Sequence, residues 1–521
     1  MATAAPGRSA GAPAAKPAFR DEPDIVAPNY ALLVIGVMLA SMIQVLDTTI
    51  TIVAVPHMQS ALGASSETVT WVLTSYIIAA AVSMPITGWL SGKVGARLLF
   101  LVSVAGFILA SMLCGIAQSL EEMVLFRAFQ GIAGAFISPL SQSFMLDATR
   151  PSKRGQIMAL WGMGVVIGPV LGPILGGILT ENWNWRWVFY VNLPLGIAAF
   201  VLLWMNLPRR AIPQRKFDLA GFLLIGTTLA ALQLMLDRGH QQDWFESKEI
   251  WTYAVVSGSA AWMATIHLAT TRQPLFDRGL FRDPNLLAAM FFIFIIGAVL
   301  FASMSLLPNL LQDILGYGVV ETGALLAMRG IGVLISMQFA SQLMRRGVDT
   351  RLCVSTGFVI AGYSLYMMSH WNLDIGKMDI ALPGLVQGLG VGLVFIPLNT
   401  TAFATLAPQF RTDASSLMNL FRNIGSSLGV AVLTAILAQN IQTSHSDLGA
   451  HITANSIYFD FSGLDQYKDL SGAALGMVDG MVNRQAAMIA YVDDFHVMML
   501  LTWFAAPLVF LMRKPPRLPG R

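Results

Sequence analysis

Apolar runs of about twenty residues, each bounded by charged or Pro- and Gly-rich breaks, recur along this chain from Tyr30 to Met512. A bilayer core about 30 Å thick takes roughly 20 apolar residues per spanning helix, so the pattern predicts a multi-pass, all-α membrane protein. Composition agrees. Of 521 residues, 55% are hydrophobic and 12% charged, which excludes an ordinary soluble domain and a single anchor attached to one. The breaks place spans near 30–55, 71–91, 98–117, 122–146, 155–179, 187–206, 218–236, 250–269, 285–307, 320–341, 352–370, 380–405, 414–438 and 493–512. That makes fourteen.

Short cytoplasmic loops retain Lys and Arg, so the basic residues fix the expected orientation. They collect after spans 2, 4, 6, 8, 10 and 12, as at Lys93 and Arg97, Arg150 to Arg154, Arg209 to Lys216, Arg272 to Arg282, Arg345 to Arg351, and Arg411. Both termini are therefore expected in the cytoplasm, residues 1–29 as a disordered tail without a signal-peptide core and 513–521 as a basic tail. Residues 440–492 read as a polar extracytoplasmic loop, long enough to be a docking surface. Within it, Gly476 to Tyr491 reads either as an amphipathic helix leading into the last span or as a loosely ordered lid.

The chain also repeats at an offset of 257 residues. Gln130 and Gly131 match Gln387 and Gly388, and Arg154, Gly168 and Gly172 match Arg411, Gly425 and Gly429. This predicts two parallel six-helix halves, 30–206 and 285–512, separated by two inserted helices within 207–284, as in transporters whose halves rock about a central site.

Charges inside spans are costly, at least ~2.5 kcal/mol at the bilayer centre, and mark functional groups. Four stand out: Asp47 in span 1, Arg127 in span 4, Arg329 in span 10 and Arg422 in span 13. At 1.5 Å per residue, Asp47 and Arg127 lie roughly 13 and 8 Å below the outer surface, close enough to share a cavity. An adjacent arginine favours the ionised aspartate and burial opposes it, so a substrate that displaced the arginine would drive proton uptake. A static ion pair fixing helix packing is the plainer reading. Arg329 and Arg422 have no evident acidic partner and fit a cavity lining, a helix C-terminus or an interface. Gln130, Gln387 and Asn419 join them as candidate cavity or gating residues. Asp218 and Asp413, at the starts of spans 7 and 13, read as helix caps.

Span 5 contains GPVLGPILGG, in which Gly168, Gly172 and Gly176 form a smooth stripe and Pro169, Pro173 and Gly177 complete the motif. Close helix approach along it suits a water-excluding seam between moving halves. GWLSGKVGAR, with Gly88, Lys93, Gly95 and Arg97, reads as a tight basic turn between spans 2 and 3. It lacks the spacing and the hydroxyl of an ATP-binding loop. Cys114 and Cys353 sit in apolar runs as packing residues, the seven histidines are scattered, and the charge of +3 gives no support to a nucleic-acid partner. No metal or organic cofactor is expected; protons would be the coupling ion.

These motifs resemble the fourteen-helix drug:proton antiporters of the major facilitator superfamily, of the EmrB/QacA type. LDTTITIVAVP (Leu46 to Pro56) resembles that family's first-helix motif, LFRAFQGIAGA (Leu125 to Ala135) its fourth-helix motif, and GPVLGPILGG its fifth-helix signature. WNWRWVFYVNLP, FDLAGF and LDRGHQQDWF are similar to the EmrB pattern. The resemblance implies proton-coupled export of varied hydrophobic compounds from the bacterial inner membrane, with Asp47 as proton-coupling carboxylate and Arg127 as its partner. It also implies a periplasmic adaptor (a membrane fusion protein) and an outer-membrane channel as partners. Gly92 stands where the wider superfamily usually has an aspartate, so a gate latch built on that residue does not carry over. The rival readings are a proton-symport importer, a non-transporting membrane sensor or scaffold, and an intramembrane enzyme, the last weakened by the lack of a recognisable catalytic constellation.

Overall fold

The computed structural model describes residues 21–65, 67–209, 215–451 and 472–513, and among them every regular element is a helix. In lipid each backbone N–H and C=O must be satisfied within its own segment, which apolar runs of this length achieve only as helices. The N-terminal half comprises α1 (Tyr30–Ala61), α2 (Trp71–Val94), α3 (Ala96–Ile116), α4 (Leu120–Asp147), α5 (Arg154–Asn182) and α6 (Trp187–Asn206). Two further helices follow, α7 (Leu219–Gly239) and α8 (Lys248–Thr270). The C-terminal half comprises α9 (Pro284–Ile314), α10 (Val319–Arg345), α11 (Thr350–Met368), α12 (Lys377–Ala404), α13 (Arg411–Ala450) and α14 (Gly472–Leu508). Eleven of the described helices are long and apolar enough to cross a membrane by length and composition. The helices read as spans 5, 8 and 11, now α5, α8 and α11, fall outside those eleven.

The halves are built alike. In the first, α5 and α6 pack on α1, and α4 packs on α2 and α3; in the second, α13 packs on α9, and α12 packs on α10 and α11. The halves meet where α5 lies along α10 and where the end of α4 lies against the start of α13. Within the insertion, α8 packs on α7, and α7 packs on α2 and reaches α13. There Leu229 of α7 clusters with Ala80, Ala81 and Met84 of α2, Ala135 of α4 and Leu420 of α13.

Three expectations change. The segment 440–492 is helical at both ends, because α13 continues to Ala450 and α14 starts at Gly472. His445 Nε2 lies 2.9 Å from Asp479 Oδ1, which joins the two extensions. Val482, Ala486, Ala487 and Met488 give the α14 extension a buried apolar face, favouring the amphipathic helix over the lid. Residues 452–471, the middle of the expected loop, and most of both expected tails lie outside the described residues.

The glycine stripe of α5 does not face the other half. Gly168 lies against the Leu46 backbone, Gly172 against Thr49 and Gly176 against Val53, all on α1 of the same half. The inter-half seam runs along other faces of α5, where Gly162 approaches Met337 and Ile174 approaches Gly323. The α5 helix runs unbroken past Pro169 and Pro173, and the side chain of Pro169 lies outside the described residues.

Asp218 does cap α7, accepting from the Gly221 amide at 2.9 Å, but Asp413 lies inside the first turn of α13 and pairs with Arg215 at 3.0 Å. Its place was unreadable from sequence because the partner comes from the linker after α6.

Candidate functional site

Asp47 and Arg127 meet in the interior of the N-terminal half. The Asp47 carboxylate is 0% exposed and the Arg127 side chain 1%, and Arg127 Nη1 donates to Asp47 Oδ2 at 2.6 Å. Taking two charges out of water is costly unless their remaining valences are filled. Here they are filled by three helices. Gln130 Nε2 and Asn192 Nδ2 each donate to Asp47 Oδ1 at 2.8 Å, Arg127 Nη1 also donates to Gln130 Oε1 at 2.7 Å, and Arg127 Nε donates to the Val72 carbonyl at 3.1 Å. The guanidinium lies 4.4 Å from the Tyr76 ring centroid, a cation–π contact.

Behind this layer, Asn192 Nδ2 also donates to Ser111 Oγ at 3.0 Å, and Ser111 Oγ donates to the Phe189 carbonyl at 3.0 Å. Asn192 and Ser111 were missed in the sequence because a neutral polar residue in a span costs far less than a charge. Their signal was an Asn following the short helical turn Trp187–Tyr190 at the start of α6.

Arg329, Gln387 and Arg422 stand apart from this network, in the C-terminal half. Arg329 is 6% exposed with Nε and Nη2 unpartnered among the described residues, Gln387 is 1% exposed with neither amide atom partnered, and Arg422 Nε is unpartnered too. Asn419 belongs elsewhere, donating to the Ser415 carbonyl at 2.8 Å and to Gln142 Oε1 at 3.1 Å. A further buried carboxylate, Asp494 of α14, is 0% exposed with both oxygens unpartnered among the described residues. It is the second residue of the span expected over 493–512, where a charge at a span end needs no special reason, but α14 begins at Gly472 and puts Asp494 inside the helix.

The second polar centre lies where the basic junctions gather. Arg411 at the start of α13 pairs with Asp147 at the end of α4, joining the halves, and Ser143 with Thr412 and Ser415 with Gln142 do the same. A segment before α1 crosses this joint. Asp24 accepts from Arg154 of α5 at 2.7 Å and from Arg411, the two positions related by the sequence repeat. Asp21 accepts from the Ser152 amide at 2.9 Å and hydroxyl at 2.7 Å. Those Ser152 hydrogen bonds hold the Asp21 carboxyl below its ordinary value of 3.8.

The basic motif after α2 abuts the same joint. A Cβ at Gly88 would collide with the Asp413 carboxylate, and Gly95 has φ +89°, so both positions need glycine. Lys93 lies 4.9 Å from the Trp89 ring centroid, Trp89 Nε1 donates to the Arg215 carbonyl at 3.1 Å, and Arg97 Nη2 donates to the Trp204 carbonyl at 2.8 Å. With Gly at 92, the acid at this joint is supplied instead by Asp413, Asp147 and Asp24.

A bundle of two similar halves with a buried ion pair inside one of them defines a helical membrane transporter. Residues 37–430 match the family model of the Major Facilitator Superfamily. The chain is 34% identical to the fatty acid resistance protein FarB of Neisseria gonorrhoeae, over 95% of this chain and 98% of that one. It is 33% identical to the multidrug export protein EmrB of Escherichia coli strain K12, over 92% and 96%. Among solved structures it is similar to the human organic anion transporter MFSD10 (TETRAN), with a TM-score of 0.57 and 14% identity over 91% of this chain and 100% of that one; this likeness speaks to the fold alone. The chain belongs to the Major Facilitator Superfamily and, within it, to the EmrB/QacA-type drug antiporter family.

Proposed function

We propose that this protein is a proton-coupled efflux permease that exports hydrophobic or amphipathic compounds by alternating access. Its relatives named for multidrug export and fatty acid resistance support export of such compounds. The observation that carries the coupling is the Asp47 carboxylate, fully enclosed and held by one cation and two amide donors from two helices, α4 and α6. A proton arriving on Asp47 removes the counter-charge of Arg127, and breaking a buried pair costs about 3–5 kcal/mol unless the surroundings rearrange. Proton binding and helix movement are thereby tied together, and the energy comes from the proton gradient.

In this reading the basic junctions and both termini face the cytoplasm of a bacterial inner membrane, and α5, α8 and α11 complete fourteen spans. The conformation is then closed toward the cytoplasm by the Arg411–Asp147 joint. The joined extensions of α13 and α14 project from the opposite face, where a periplasmic adaptor leading to an outer-membrane channel would dock.

The test is substrate-coupled proton movement in liposomes under an imposed pH gradient. Wild type is expected to exchange drug for protons, and Asp47→Asn, verified as folded, to lose the coupling. Unchanged coupled transport in the variant would reject Asp47 as the proton site, and movement of protons in the same direction as substrate would favour a symporter.

A further inference from the structure

The two halves share helices but not charges, and their packing gives the register between them. Gly168 lies against Val45 and Gly425 against Phe294, while Gly172 lies against Thr49 and Gly429 against Ala298. Gly131 lies against the Tyr76 carbonyl and Gly388 against the Arg329 carbonyl. In that register Asp47 corresponds to Ile296, Arg127 to Gly384, Gln130 to Gln387 and Tyr76 to Arg329. The amide is kept, the cation has moved from α4 to α10, and the acid has become a hydrocarbon.

A cavity marks the same place independently. Its walls include Ile296 of α9, Phe358 of α11, Gln387 of α12 and Thr502 of α14. Those four helices are the counterparts of α1, α3, α4 and α6, which supply Asp47, Ser111, Gln130 and Asn192. Gln387 reaches this cavity with both amide atoms unpartnered. The backbone of Arg329 touches Gly388, the residue after Gln387, and the backbone of Arg422 touches Gly297, the residue after Ile296. Arg329, Gln387 and Arg422, with their unpartnered donors, therefore stand on backbone at neighbouring levels of the C-terminal half.

We infer that this is a binding site for the carboxylate headgroup of an amphipathic substrate, the ligand supplying the acid that position 296 lacks. Arginine binds carboxylates through paired N–H donors, and a buried cation without a counter-ion is stabilised by any anion that reaches it. Arg329 stands behind the cavity and not among its walls, its backbone against Gly388 and two of its guanidinium nitrogens unpartnered among the described residues; as the helices part it would supply the charge, and the Gln387 amide a second donor, as Gln130 does for Asp47. The apolar walls, with Val299 and Val391 among them, accept the hydrocarbon chain. In this conformation the cavity measures about 20 Å³, room for roughly one water, so the headgroup enters as the helices part during the cycle. The inference rests on the exporter reading and narrows its substrates to include hydrophobic carboxylates.

Equilibrium dialysis of radiolabelled dodecanoate, dodecanol and dodecylamine against the protein in nanodiscs, with empty nanodiscs subtracted, tests this directly. Dodecanoate is expected to bind saturably and at least tenfold more tightly than either analogue. Arg329→Gln is expected to abolish that preference, Arg329→Lys to keep part of it, and Gln387→Leu to weaken dodecanoate severalfold. Equal affinities for the three probes in the wild type, which needs no variant to fold, would overturn the site, as would an intact preference in Arg329→Gln. Drug–proton exchange without a dodecanoate preference would sink this inference alone. A preference without proton exchange would sink the antiport reading and leave the site standing.

Discussion

At the residue scale, Arg127 and Asp47 show how an interior tolerates two charges: both Asp47 oxygens and the Nε and Nη1 donors of Arg127 are hydrogen-bonded, with partners drawn from α2, α4 and α6. Removing one partner is worse than removing both, because it leaves an uncompensated charge. Arg127→Ala is therefore expected to lower stability by about 3–5 kcal/mol, and the double variant with Asp47→Asn to recover part of that loss. Thermal unfolding in detergent checks it; a double variant no more stable than Arg127→Ala would mean the pair is not coupled. Gly88→Ala places a methyl group on the Asp413 carboxylate and is expected to displace it from Arg215, reducing transport without lowering expression. The pairing of Asp47 with Arg127 was legible because the cost of intramembrane charge and the helical rise together fix who is near whom. Asp147 was not, since it falls just past the end of an apolar run, where a charge needs no special reason.

At the element scale, hydropathy reads only the part of a helix that lipid surrounds. The spans were found because they are apolar, and α13 and α14 were cut short where their sequences turned polar, at QNIQTSHSDLGA and at GMVDGMVNRQ. Both continue as helices past the apolar run, α14 with a buried apolar face, and His445 of one faces Asp479 of the other. Cysteines introduced together as His445→Cys and Asp479→Cys are expected to cross-link on mild oxidation within one chain. Absence of that cross-link, read as a gel shift after cleavage between the helices, would contradict the hairpin. The glycine stripe of α5 was legible as a close helix contact, but spacing alone does not say which neighbour fills it, and α1 does.

At the scale of the whole molecule, the segment around Asp24 spans the two halves by holding Arg154 and Arg411, equivalent positions in the repeat. Opening that end requires the two arginines to separate, so one carboxylate cannot keep both. Asp24→Ala is expected to raise the open population, read as a longer distance between spin labels at Lys153 and Gln409; an unchanged distribution would reject a restraining role. The neighbouring Asp21 has its pKa depressed by Ser152. Its contribution is present above the ordinary value of 3.8 and is lost only as pH falls through the lower folded value. Acidification from pH 7 to pH 5 is thus expected to leave the Asp21 contact in place.

The inserted pair α7 and α8 has a consequence for how a compound dissolved in the bilayer gets in. Two seams run down the sides where the halves meet, one between α2 and α13 and one between α5 and α10. The first is shuttered by α7, whose Leu229 and Ile225 are wedged among residues of both halves. Among the described residues the second has no such cover, and near the basic loops it opens into a groove of about 340 Å³ bordered by Gln156 on one side and Ile335 and Phe339 on the other. In the proposed exporter reading, a lipid-borne compound would enter by this uncovered seam, along α5 and α10, and not by the seam that α7 closes.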